Sequence, residues 1–74
     1  MNHPDFDPDY VFAHHDATPE QVAQHEKVHA GAKRFAEIIL ANAPQSSDRN
    51  AALRLLRESA MMANAAIALG GRLK

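Results

Sequence analysis

Two stretches of the chain repeat apolar residues at intervals of three and four positions, the spacing of one face of an α-helix. The first stretch has apolar residues at Val22, Val28, Ala32, Phe35, Ala36, Ile39 and Leu40. The second stretch has them at Ala52, Leu53, Leu56, Ala60, Ala63 and Ile67. These stripes predict helices over about residues 19–42 and 47–69. Because the connection between them is about five residues long, the helices are expected to pack antiparallel as a hairpin.

Helix-end signals flank both stretches. Residues 18–21 read Thr-Pro-Glu-Gln, which has the spacing of a capping box with proline at the first helical position. Pro44 ends the first helix, since proline cannot continue it. Ser46 or Ser47 is predicted to cap the second helix, and the two glycines at 70–71 are predicted to stop it.

The chain before the first helix shows no helical period. Prolines, aspartates and aromatic residues alternate there, a pattern typical of an extended arm. Because aromatic rings are costly to leave in water, the arm is expected to dock, with Tyr10 packing on a neighbour or, alternatively, forming part of a lid. The predicted organisation is an N-terminal arm over residues 1–17, an α-hairpin over 18–69 and a C-terminal tail over 70–74.

The composition indicates an assembly of helices. The chain has 74 residues and no cysteine, so neither a disulfide nor a thiolate metal site stabilises a core that is marginal at this size. The second helix carries more apolar surface than one partner helix covers, and Asn64 within it is expected to make an interhelical hydrogen bond that sets the register. The predicted fold is all-α, an antiparallel two-helix hairpin with an extended N-terminal arm, assembled as a homo-oligomeric helical bundle.

Charge is distributed unevenly along the chain. Residues 1–26 contain six acids and no Lys or Arg, whereas residues 27–74 contain eight bases and three acids. The acidic arm is therefore expected to lie over the basic body of its own chain or of a neighbour, with a solvated acidic tail as the plain alternative. The net charge of −1 argues against general nucleic-acid binding, so no DNA partner is expected.

The sequence shows no signal for membrane insertion or export. No apolar run approaches the roughly 18 residues of a membrane span, and the acidic N-terminus is unlike a signal peptide. We expect a soluble intracellular protein with no membrane partner.

Residues 25–29 read His-Glu-Lys-Val-His, which matches the H-E-x-x-H pattern of zinc hydrolases. On a helix the two histidines share a face, and Glu26 is placed to act as general base. No third ligand continues the motif, and so short a chain offers no closed substrate cleft. A polar helix face is the preferred interpretation, with adventitious metal binding by His25 and His29 and a zinc hydrolase as alternatives. We accordingly expect no catalytic residue, no metal and no cofactor.

One end of the predicted hairpin collects residues suited to a phosphorylated ligand that carries bases. These residues are Phe12, His14, His15, Lys27, Lys33, Arg34, Arg72 and Lys74. Cations and a capped helix N-terminus bind phosphate, and planar rings stack on bases. A solvated basic end is the alternative, because an antiparallel hairpin brings such residues together without any ligand.

A longer pattern runs through the arm and both helices. The arm and first helix contain Phe12-x-x-His15 and Ala32-x-x-Phe35-Ala36-x-x-Ile39. The second helix reads Ala52-Leu53-x-x-Leu56-x-Glu58-x-x-Met61-x-Ala63-Asn64-Ala65-Ala66-Ile67-Ala68, after Pro44-x-Ser46-x-Asp48. Over about residues 12–69 this pattern resembles the phage anti-CBASS cyclic-nucleotide sponge family. The hairpin is also similar to that of a phage sponge that disarms Thoeris signalling.

The resemblance implies binding without turnover. Members of that family are compact helical oligomers, commonly hexamers, which sequester cyclic di- or trinucleotide alarm signals of the infected cell. The implied function is a phage anti-defence protein in the cytoplasm of the infected host cell, with a cyclic dinucleotide as the expected ligand. The alternative from the residues alone is a small helical interaction module or regulator that binds a host protein through its apolar second helix.

The resemblance also implies which residues hold the ligand. In the family, a ring beside a histidine of the arm stacks on a base, and a basic residue of the first helix meets phosphate. By position the stacking ring is His14, beside His15, where tyrosine is expected. The basic position falls on or near His29, where arginine or lysine is expected, and Lys27 or Lys33 is the alternative source of that charge. The full expected set is Phe12, His14, His15, Lys27, His29, Lys33 and Arg72.

Overall fold

The computed structural model describes residues 5–72, and every secondary-structure element in that range is a helix. A short helix, α1, spans Pro8–Val11, and two long helices follow, α2 over Pro19–Asn42 and α3 over Ser47–Leu69. The long helices pack against each other as an antiparallel pair, which confirms the predicted all-helical hairpin. Lys74, which the sequence places at the basic end, lies outside the described residues.

The arm differs from the extended segment that the sequence predicts, because its centre forms one turn of helix. Asp7 caps α1, where its carboxylate accepts hydrogen bonds from the backbone amides of Asp9 at 3.0 Å and Tyr10 at 3.4 Å. Pro8 occupies the first turn, where its fixed φ suits a helix and its missing N–H is not needed. Asp7 and Pro8, which were predicted to be part of an extended arm, therefore start a helix.

Both long helices begin and end at residues whose chemistry favours helix ends. The Thr18 hydroxyl accepts from the Gln21 amide at 3.1 Å, and the Gln21 side chain accepts from the Thr18 amide at 2.9 Å, which confirms the capping box. Of the two serines predicted as the second cap, Ser46 is the one used. Gly70 adopts a φ of 62°, the left-handed conformation in which glycine commonly ends a helix.

The hairpin has no buried interior, since none of residues 5–72 is buried. The seam between the helices consists of half-buried small and aliphatic residues, among them Val28, Ala32, Ala36, Ile39, Leu56, Ala60, Ala63 and Ile67. The radius of gyration is 15.7 Å, against about 11 Å for a compact chain of this length. The hairpin therefore leaves large apolar side chains in solvent. Within the described range, no helix is long and apolar enough to cross a membrane.

Two hydrogen bonds across the seam fix the register of the hairpin. His25 Nδ1 lies 2.8 Å from Asn64 Oδ1, a hydrogen bond in which the imidazole N–H donates. The open end of the hairpin is the one where α2 begins and α3 ends, opposite the connecting turn. Nearer this end, Gln21 Nε2 donates to the Ile67 carbonyl at 2.9 Å. The interhelical hydrogen bond predicted for Asn64 is thus confirmed, and its partner is a histidine of the H-E-x-x-H match.

Replacing Asn64 by alanine is expected to lower the free energy of unfolding by about 1 kcal/mol, the net value of such a hydrogen bond. For a chain of this size the fall in Tm is roughly 4–8 °C. Thermal unfolding followed by circular dichroism, at one fixed protein concentration, measures it. Asn50→Ala is the matched control, because Asn50 is exposed near the start of the same helix. Equal Tm values for the two variants would contradict a register role for Asn64.

Candidate functional site

The arm is held against the end of α3 by contacts that we call the arm clasp, made by Tyr10, His15, Leu69 and Arg72. The Tyr10 hydroxyl donates at 2.9 Å to the Leu69 carbonyl, one of the last carbonyls of α3, which also accepts from the Arg72 amide at 3.1 Å. The Arg72 guanidinium lies 4.2 Å from the centre of the Tyr10 ring, and the His15 ring centre lies 4.6 Å from it. His15 Nε2 also lies 2.6 Å from the Tyr10 carbonyl oxygen. The clasp therefore fixes the arm relative to the hairpin.

Two further rings of the arm, Phe12 and His14, are exposed. Phe12 is 80% exposed, and its ring centre lies 6.2 Å from that of Phe6. His14 Nε2 lies 2.9 Å from the Asp16 carboxylate, with both side chains almost fully in solvent. Because a polar contact between two exposed side chains is worth little, the imidazole can exchange it for a contact with a ligand. Both rings are therefore available for stacking on a planar group.

On one face of the hairpin, α2 and α3 leave an open groove of about 340 Å³. Its polar lining includes His29 and Lys33 from α2 and Arg57 from α3, and we call it the cationic groove. The rest of its lining is mostly apolar, including Ala32, Ala36, Leu53, Leu56, Ala60 and Met61. The volume is at the low end of small-molecule sites. Cations from two helices beside an apolar surface suit an anionic ligand that also carries a flat group.

The other face carries a second groove of about 260 Å³, which we call the Gly31 groove. Lys27, Gly31 and Phe35 line it from α2, and Ser59 and Ala63 line it from α3. Three seam residues border both grooves, namely Ala32, Leu56 and Ala60. The grooves therefore lie on either side of the seam, and they differ in charge.

The structure places the residues nominated from the sequence in three locations. Those at the open end are Phe12, His14, His15 and Arg72. His29 and Lys33 line the cationic groove, whereas Lys27 lines the Gly31 groove. Because a helix rises about 1.5 Å per residue, Lys33 stands roughly 20 Å along α2 from the open end. Within one chain these residues do not form a single pocket.

Two residues join the site that sequence reasoning did not nominate for it. Arg57 completes the cationic groove opposite Lys33, and Tyr10 forms the centre of the arm clasp. Arg57 does have a signal in the sequence, since it precedes Asn64 by seven residues and so shares its side of α3. Tyr10 was expected to pack on a neighbour, whereas in the structure it contacts the end of α3 in its own chain.

The two histidines of the H-E-x-x-H match have different positions in the structure. His25 bonds to Asn64 across the seam, His29 lines the cationic groove, and Glu26 between them is exposed. Across residues 5–72, no group of three His, Cys, Asp or Glu side chains is placed to hold a metal ion. The zinc-hydrolase alternative therefore gains no third ligand from the part of the chain that the structure describes.

Comparison with known families gives one finding. The sequence profile of a family described as Acb2/Tad1, hairpin domain, matches residues 7–68. The matched segment starts one residue before α1 and ends one residue before the end of α3. It therefore includes both grooves and, of the arm clasp, Tyr10 and His15 but not Leu69 and Arg72. Comparison with curated proteins and with solved structures gives no match.

Proposed function

We propose that this chain, which belongs to the Acb2/Tad1 hairpin family, binds and sequesters a cyclic oligonucleotide immune signal without cleaving it. The family is that of the anti-CBASS and anti-Thoeris sponges, and it is known for phage anti-defence function. Its members are binding domains and not known enzymes. A cyclic dinucleotide is the proposed ligand, with a cyclic trinucleotide as the second candidate. The proposed place of action is the cytoplasm of the infected host cell.

The observation that carries the proposal is the family match over residues 7–68. It includes residues 7–17 of the arm as well as the hairpin, so the capped turn α1 lies within the segment that the profile matches. A sponge needs a ligand site and no catalytic group. We propose that the grooves and the exposed rings form this ligand site. Binding a ligand there requires neither a nucleophile nor a metal.

The charges and rings of the chain suit an anionic ligand that carries bases. A cyclic dinucleotide has two phosphates, and Lys33 and Arg57 offer cations to them from two facing helices. It also has two bases, for which the exposed rings of Phe12 and His14 offer stacking surfaces. His29 adds a ring N–H to the same groove as Lys33. Arg72 at the open end is a further cation of the proposed site, whereas Lys27 lines the other groove.

The proposed oligomeric state is a homo-hexamer, which is common in the sponge family. The candidate residues of one chain stand at the open end and in two grooves, up to roughly 20 Å apart along α2. A ligand smaller than that span contacts all of them only when a neighbouring chain brings its own set nearby. We therefore place the ligand between protomers, with the arm of one chain covering it.

Calorimetric titration of the purified protein against cyclic dinucleotides, cyclic trinucleotides and cyclic ADP-ribose isomers is expected to show tight binding of one of them. The protein is then digested, and the ligand is recovered by chromatography. Intact ligand is expected of a sponge, whereas a linear product would reveal an enzyme. The linear form of the bound nucleotide is the matched control, and it should bind more weakly because it is not pre-organised. No binding across the panel would overturn the proposal.

A protein-interaction module is the second candidate, because eight large apolar side chains are exposed in the described range. Phe12, Met61 and Met62 are among them. Such a module would capture a defined host protein and ignore the nucleotide panel. A monodisperse homo-oligomer that retains no host protein in a pull-down would count against it.

A further inference from the structure

Gly31 lies in the middle of α2, where glycine is unfavourable. A glycine in a helix interior costs about 1 kcal/mol relative to alanine. A Cβ added at Gly31 would meet no atom within 4 Å, so nothing in the described chain excludes a side chain there. A glycine that the chain does not need for its own packing points to a close approach by something outside it.

The surface around Gly31 is apolar and exposed. Phe35 lines the same groove one turn along α2, and it is 54% exposed. On α3, Leu55 and Met62 stand four residues before and three residues after Ser59, which lines this groove, so they share its face. They are 57% and 73% exposed. This face therefore holds large apolar side chains from both helices around a position with no side chain.

The area that the chain leaves in solvent is of the size that a protein interface covers. Its accessible surface is 5965 Å², whereas a folded monomer of 8.1 kDa is expected to expose about 4,500 Å². The excess of about 1,500 Å² exceeds the roughly 800 Å² that each partner buries in a standard interface. The chain thus has surface for at least one stable contact, and the Gly31 groove is a place where a helix can approach closely.

We propose that the Gly31 groove binds the same groove of a second copy of this chain, with the two α2 helices crossing antiparallel at Gly31. In such an isologous contact, Lys27 of each copy stands opposite Phe35 of the other, since each is four residues from the crossing point. The lysine stem packs on the ring and its ammonium faces the ring's π-electrons. This self-complementarity favours a second copy over an unrelated protein. The inference rests on the homo-oligomer of the proposed function and is independent of the ligand's identity.

Replacing Gly31 by leucine fills the crossing point, and it is expected to reduce the mass of the assembly at least twofold. Light scattering with size-exclusion chromatography measures the mass, and circular dichroism reports that the helices persist. Ala30→Leu is the matched control, because Ala30 is the exposed neighbour of Gly31 and lines neither groove. Unchanged mass for Gly31→Leu, or an equal loss for Ala30→Leu, would overturn the interface.

A covalent test uses the absence of native cysteine. Two Cα atoms that face each other at a close helix crossing lie within the range of 4.4–6.8 Å that a disulfide spans. Gly31→Cys is therefore expected to form a disulfide-linked dimer on mild oxidation, and Ala30→Cys is not. Monomer throughout for Gly31→Cys, or equal cross-linking of both variants, contradicts a crossing at this residue.

The sponge proposal and the Gly31 interface can be tested independently of each other. If no nucleotide binds but Gly31→Leu lowers the mass and Gly31→Cys cross-links, the interface stands and the sponge proposal falls. If a nucleotide binds tightly while Gly31→Leu keeps the full mass, the sponge proposal stands and this interface is wrong. The mass measurement uses the full chain without any nucleotide, so its result does not depend on knowing the ligand.

Discussion

Replacing Lys33 and Arg57 together by glutamine is expected to weaken binding of the cyclic oligonucleotide at least 100-fold. Each residue is placed to make a charge-assisted hydrogen bond to phosphate, worth about 1.5–3 kcal/mol. Two such losses amount to about 3–6 kcal/mol, and each 1.4 kcal/mol is a factor of ten in affinity. Both side chains are exposed, so the fold should survive the change. Calorimetry with the ligand identified from the nucleotide panel measures the affinity, and circular dichroism checks the helices.

The matched control for this variant is Arg34→Gln with Arg54→Gln. It removes the same charge from the same two helices, at exposed residues that line neither groove. Because salt screens charges over about 8 Å at physiological ionic strength, the control should bind within threefold of the parent protein. An equal loss in both double variants would mean that the cationic groove is not the phosphate site. A larger loss from Lys27→Gln alone would move that site to the Gly31 groove.

The helix ends could be read from the sequence because each depends on residues within four positions of one another. The capping box at residues 18–21, the cap at Ser46 and the stop at Gly70 are all local in this sense. The one-turn helix α1 escaped prediction because a single turn is too short to show an apolar period. Its start signal, Asp7 followed by Pro8, was nevertheless present in the chain.

Which cations line the same groove could not be predicted from any local sequence pattern. Lys27 and Lys33 are six residues apart, which places them about 120° apart around a helix, so they line different grooves. Which side of α3 meets each of them depends on how the two helices are rotated against each other. The hydrogen bond between His25 and Asn64 reveals that rotation, and with it Arg57 falls on the Lys33 side. The predicted convergence at one end left out this rotation, and it also left out the roughly 20 Å along α2 that separate Lys33 from that end.

Replacing Tyr10 by alanine is expected to release the arm from the hairpin. The change removes the hydrogen bond to Leu69, the ring under Arg72 and the ring pair with His15. These contacts are worth about 1, 0.5–1 and 0.5–1.5 kcal/mol. Their combined loss of about 2–3.5 kcal/mol should speed hydrogen exchange of the α1 amides by roughly 30- to 300-fold. Exchange measured by mass spectrometry on peptides from the arm tests this, and α2–α3 peptides should be unaffected.

Two controls separate the parts of the clasp and link it to the ligand. Tyr10→Phe keeps the ring and loses the hydroxyl, so it should speed exchange about fivefold, the effect of one hydrogen bond. Asp9→Ala, at an exposed neighbour, should leave the contacts of Tyr10 with α3 in place. If the arm covers the ligand, Tyr10→Ala raises the ligand's dissociation rate by a factor similar to that for exchange. Faster exchange with unchanged dissociation would show that the arm does not cover the ligand, and the stacking roles of Phe12 and His14 would fall with it.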